Sequence, residues 1–196
     1  MTGEPSIGWS DDIECGGGPV LVANVDDFAH WFGTAAVAGP SGSLGQSGHE
    51  SIHPFAPDCM CYLWHALAGS VRVSVDASRS ALRLAQIEYA DDDASRAAAH
   101  AHAFAFDAVQ DAPGLRYRVS TGPVVIAWAT NSMADTSTSI NRLPLSASTP
   151  GALIDFAGGP NAAAVWLKPG MYVSLLFFHE DDRWGISWCT LQRVSD

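Results

Sequence analysis

The stretch "NAAAVWLKPGMYVSLLFFHEDDRWGISWCTLQRV", residues 161 to 194, constrains this chain more than any other. Its apolar runs are separated first by Pro-Gly and then by an acidic turn, so it reads as strand, turn, strand, turn, strand. In "KPGM", Pro169 and Gly170 take the central positions of a type II turn.

Much of the remaining chain is of the same kind. Pro19 to Ala23 reads as a buried strand, and Asp26 can cap a short helix with Phe28, Trp31 and Phe32 on its apolar side, closed by Gly33. Val71, Val73 and Val75 alternate with polar residues as in a half-buried strand, and Leu82 to Tyr89 forms another. "LRYRVS" after Gly114 alternates, while "GPVVIAWAT" and "GALIDFAG" are buried apolar runs. "NSMADTSTSINRLPLSASTP" between them is a polar loop. The segment "CMCYLWHAL", residues 59 to 67, is apolar core, as helix or strand.

"ADDDASRAAAHAHAFAFDAVQDAPG" pulls in two directions. Asp91 to Asp93 supply an N-cap and first-turn acids, alanine is the best helix former, and "APG" ends the run. "HAHAFAFD" alternates like a strand, but seven alanines between 94 and 105 weigh against one, so a helix is predicted over 94–108. On a helix His100 and His102 point about 200° apart and do not share a metal ion.

Two echoes bear on architecture. "CGGGPVLVANVDDF" resembles "STGPVVIAWATNSM", and "VSVDASRSALRLAQIEYADDD" resembles "ALIDFAGGPNAAAVWLKPGMYVSLLFFHEDD". The expected fold is therefore α+β and β-rich: two related sandwich-like halves, 14–112 and 113–196, packed as a single compact unit over 1–196 with one or two helices.

"HESIHP", residues 49 to 54, spells the His-Glu-x-x-His of zinc peptidases. That chemistry needs a helix, and the glycine-rich run before it and Pro54 after it argue against one. A weaker metal reading uses His49, His53, Cys59 and Cys61, which are all of ligand type, at a spacing unlike the usual zinc sites. In the plainer reading the cysteines pack as small hydrophobes.

Charge narrows the partners. With 21 acidic residues against 10 basic ones the net charge is −11, and Lys168 is the sole lysine. Such a surface repels phosphate backbones and anionic membranes and attracts a basic protein. The acids cluster at Asp91, Asp92 and Asp93 and again at Glu180, Asp181 and Asp182, next to Trp184 and Trp188. Those eight residues are the expected partner-binding set, with the two tryptophans flanking a turn as exposed anchors and Trp128 and Trp166 as core. No apolar run is long enough to span a bilayer, the start lacks the pattern of a signal peptide, and four cysteines suit reduced thiols in a cytoplasm. The sequence carries no nucleophile elbow, Walker loop or dinucleotide fingerprint, so no enzyme and no cofactor is expected.

"GGGPVLVANVDDFAHWFG", "RLAQIEYADDDASRAAA", "GALIDFAGGPN" and "LKPGMYVSLLFF", taken in order, resemble the immunity protein 21 family over most of residues 14 to 194. The chain departs from that pattern in its "IDF" order and its histidine-bearing segment at 49–53. The resemblance implies a bacterial antitoxin that neutralises a toxin domain by direct contact. A metal- or small-ligand-binding protein using residues 49 to 61 is the alternative.

Overall fold

Alternation along each strand decides which side is buried, and in this chain both sides often are. In Pro123–Trp128, Val124 and Ile126 belong to one buried cluster while Val125 and Ala127 belong to another. A strand covered on both faces reads as a continuous apolar run, as this one does.

The computed structural model describes residues 10, 12–15, 19–28, 30–31, 50–65, 69–105, 114–129, 152–156 and 159–194. In chain order the elements are β1 (Ile13–Cys15), β2 (Val20–Asn24), α1 (Val25–Phe28), β3 (Glu50–Ala56), β4 (Cys59–Trp64), β5 (Gly69–Val75) and β6 (Ala81–Ala90). They continue as α2 (Asp93–Ala105), β7 (Arg116–Val119), β8 (Pro123–Trp128), β9 (Ala152–Phe156), β10 (Gly159–Trp166), β11 (Gly170–Glu180) and β12 (Trp184–Arg193). The polar loop read at 131–150 lies outside the described residues.

The strands form two antiparallel sheets, ordered β1-β5-β6-β12-β11-β7 and β3-β4-β2-β8-β10-β9. The sheets pack face to face over a core that includes Val22, Tyr62 and Ile126 from one and Leu82, Leu84 and Leu191 from the other. On the outer face of the second sheet, Phe28 and Trp31 cover Leu21, Leu63 and Val125. On the outer face of the first, α2 lays Ala99 and Ala103 against Ala85, Ile186 and Trp188. The fold is thus β-rich α+β, with two helices among the described residues, as the sequence predicts.

The strand order carries an approximate two-fold symmetry. Replacing β1–β6 by β7–β12 in sequence turns each sheet order into its own reverse. Ile13 to Arg116 and Ala81 to Trp184 are both steps of 103 residues, from the start of β1 to that of β7 and from β6 to β12. The registers agree: Leu84↔Cys189 and Gln86↔Ser187 lie symmetrically about Ala85↔Trp188. In the other sheet Leu21↔Ala127 and Ala23↔Val125 lie symmetrically about Val22↔Ile126. The first sequence echo matches β2 to β8. The second aligns β6 with β11, whereas the topology matches β6 to β12. Neither half is a sheet by itself, because each supplies three strands to both sheets.

Other expectations are decided or corrected by the structure. Residues 50–54, the described part of "HESIHP", open β3, an edge strand, where Pro54 is tolerated because one side of an edge has no ladder to donate to. Residues 59–64 are strand, and the short helix begins at Val25, one residue before the expected cap. The Pro-Gly turn joins strands of different sheets, so β10 and β11 are not a hairpin. Gly170 there has φ +150°, a conformation that disfavours a side chain, while the Arg193 side chain that a Cβ would meet at 2.5 Å is long enough to move aside. Trp166, expected in the core, is 36% exposed.

Candidate functional site

The pairing of β6 with β12 brings the two acidic runs together. Ala90 is the register partner of Trp184, and the Asp91 N–H donates to the Arg183 carbonyl at 3.1 Å. Tyr89 reaches across the hairpin, with its hydroxyl 2.5 Å from the Asp181 carbonyl oxygen and 3.2 Å from Glu180 Oε1. Gly185 makes room for it: a Cβ there would meet the Tyr89 ring at 2.6 Å. Partial burial and the neighbouring Glu180 carboxylate raise the Tyr89 phenol above its ordinary range.

Within this acidic tip the six carboxylates have different duties. Asp92 is the N-cap of α2, with Oδ1 accepting from the Ser95 N–H at 2.7 Å, and that bond lowers its pKa. Asp181 closes the β11–β12 turn by accepting from the N–H groups of Arg183 (2.7 Å) and Trp184 (2.9 Å), which lowers its pKa too. Asp91, Asp93, Glu180 and Asp182 are exposed and make up the outward charge.

The tryptophans do not serve as exposed anchors. Trp184 is 6% and Trp188 1% exposed, because α2 packs across the strand face that carries them. His102 on α2 completes that seal: its ring lies 5.4 Å from Trp184, 5.9 Å from Trp188 and 4.1 Å from His179. Burial, and then His179, lower the His102 pKa. His100 faces the other way, toward the Arg72–Asp12 ion pair, and burial pushes its pKa down to about 4.

Below the tip, a cleft of about 460 Å³ opens where β4 ends and β6, β11 and β12 continue. Trp64, Leu176 and Phe178 give it apolar walls, and Glu88, Ser187 and His65 its polar groups. Phe178 is 62% exposed, an unusual position for a phenylalanine. Ser187 Oγ donates to Glu88 Oε1 at 2.5 Å, while His65 Nε2 meets Ser51 Oγ at 3.3 Å. One step deeper, the Tyr62 hydroxyl donates to Glu50 Oε2 at 2.7 Å. Its one proton being used there, the Cys189 thiol is the donor in the 2.9 Å contact between Cys189 Sγ and the Tyr62 oxygen. The cleft had no sequence signal, since its lining comes from four strands and no two of its polar residues form a motif.

Of the ligand-type residues of the 49–61 segment, His53, Cys59 and Cys61 behave as strand residues. His53 and Cys61 are register partners, and Cys61 Sγ donates to the His53 carbonyl at 3.6 Å. Burial pushes the Cys61 thiol up to about 12, while burial and then Asp27 raise that of Cys59. Among the described residues no three His, Cys, Asp or Glu side chains converge as a metal site; His49 lies outside them. Asp76 accepts from the N–H groups of Ser80 (2.6 Å) and Ala81 (2.7 Å) in the β5–β6 turn. Among the described residues, no helix is long and apolar enough to cross a membrane.

These observations define an antiparallel β-sandwich with an acidic tip and an adjoining aromatic cleft. No family model, curated protein or solved structure matches the chain.

Proposed function

We propose that this chain acts by binding a basic protein at its acidic tip, as a cytoplasmic immunity protein that neutralises a bacterial toxin domain by direct contact. The observation that carries the binding reading is the convergence of two sequence-distant acidic runs beside an open apolar cleft. Charge of one sign at a rim speeds encounter with an oppositely charged partner, and an apolar concavity next to it supplies contact area. The toxin as partner rests on the resemblance to the immunity protein 21 family. Binding is favoured over nucleophilic catalysis by the pairing within the cleft. In the Ser-His-Asp arrangement the serine gives its proton to an imidazole, whereas Ser187 donates to a carboxylate.

The test is co-expression with a basic toxin domain found by screening the coding regions adjacent to the one for this chain. Wild type should restore growth and bind with strong salt dependence. A variant carrying Asp91→Lys, Asp93→Lys, Glu180→Lys and Asp182→Lys should lose protection and much of that dependence. Absence of protection by wild type, or a variant that protects and binds as well as wild type, sinks the reading.

A further inference from the structure

We infer that the cleft is a receptor for an arginine side chain presented by the partner protein. The inference rests on the partner-binding reading above and names the group recognised. Among the described residues Glu88 accepts one hydrogen bond, from Ser187, and makes no ion pair. Its second oxygen, Oε2, is left to accept from a ligand. Among the described residues no lysine or arginine lines the cleft, and His65 is the one basic side chain there.

The walls suit a guanidinium. Phe178 is an exposed aromatic side chain and Trp64 borders the cleft from the buried side; a planar, weakly hydrated cation stacks on aromatic rings while its N–H groups reach a carboxylate. Leu176 and the rings provide apolar surface for the three-carbon stem. A volume of about 460 Å³ admits the side chain together with part of the loop that bears it. The acidic tip lies next to it on β11, since Glu180 follows Phe178 by two residues and shares its side of the strand. A basic loop drawn to the tip is thereby delivered to the cleft.

The experiment is an NMR titration of the full chain with a capped Gly-Arg-Gly peptide. The control peptide carries citrulline, which keeps the shape and removes the charge. The arginine peptide should saturate shifts at Glu88, Phe178, Ser187 and the Trp64 indole, with citrulline at least about tenfold weaker. Glu88→Gln, which preserves the Ser187 hydrogen bond, should weaken arginine binding about tenfold. Phe178→Ser, at an exposed position that folding does not depend on, should weaken it as well, and the backbone spectrum of each variant reports that the fold is intact. Equal binding of arginine and citrulline overturns the inference, as do saturation outside the cleft, no saturation by either peptide, or indifference to Glu88→Gln. The peptide titration reads the cleft alone and growth protection reads the whole partner, so the two proposals fail separately.

Discussion

The symmetry that relates β1–β6 to β7–β12 also relates the cleft to a second location, and the two could hardly differ more. By the 103-residue step Ser187 corresponds to Leu84 and Glu88 to Leu191. By strand register Phe178, opposite Ser187, corresponds to Val73, opposite Leu84. Trp64 and Val165 correspond likewise through Val20 and Val124. The second set, Leu84, Leu191, Val73 and Val165, is no more than 3% exposed, whereas Phe178 is 62% exposed. One backbone plan thus holds a closed, aliphatic location and an open, polar one. Backbone pairing repeats because it depends on hydrogen bonds common to all residues. What each location does depends on side chains, and there the halves have diverged.

The contrast predicts that the closed location carries stability and the open one binding. The largest effect is expected at the pivot of the symmetry: Trp188→Ala should cost about 3–5 kcal/mol in urea unfolding, since it empties the space beneath α2. Had Trp188 been a surface anchor, stability would hardly change. Leu84→Ala or Leu191→Ala should cost about 2–5 kcal/mol, against about 1 kcal/mol or less for Ser187→Ala at the open location. Equal losses at the two locations would end the comparison.

Acid supplies a third probe, read by the urea midpoint across pH. His100 is held neutral by burial, its pKa falling from 6.5 unfolded to about 4 folded. A lowered histidine pKa means that the unfolded chain binds the proton first. The His100 contribution is therefore fully present above about 6.5 and is lost as pH falls toward 4, up to about 3 kcal/mol. His100→Gln should flatten that part of the profile. His102 acts in the same direction through its own lowered pKa. Smaller still, Asp92→Ala should cost about 1 kcal/mol by removing the α2 cap, measurable as a lower thermal midpoint. Phe178→Ser should change stability by less than about 0.5 kcal/mol while weakening the arginine peptide, which separates binding from folding at one residue.

Local chemistry made much of the fold legible. The strands at 71–75 and 116–119 follow from alternation, β2 and β8 from apolar runs, and α2 from its alanines and the acidic cap, which outweighed the alternation of "HAHAFAFD". The acidic tip was legible as two clusters. β3 was hidden by Pro54 and its glycine-rich approach, because edge placement excuses a proline and no local pattern announces an edge. The tryptophans were misplaced for a related reason: proximity to a turn says nothing about a helix that packs on them from eighty residues away.

By itself the sequence determined most of the strands, the longer helix, the turn chemistry and a strongly acidic surface, because these depend on neighbours along the chain and on net composition. Only the tertiary structure decided which strands share a sheet, that both acidic runs meet at one tip, that Trp184 and Trp188 lie beneath α2, and that Glu88 and Ser187 open a cleft where Leu191 and Leu84 close one. Those outcomes depend on contacts between residues far apart in the chain, where burial and register, and not local propensity, set the free energy.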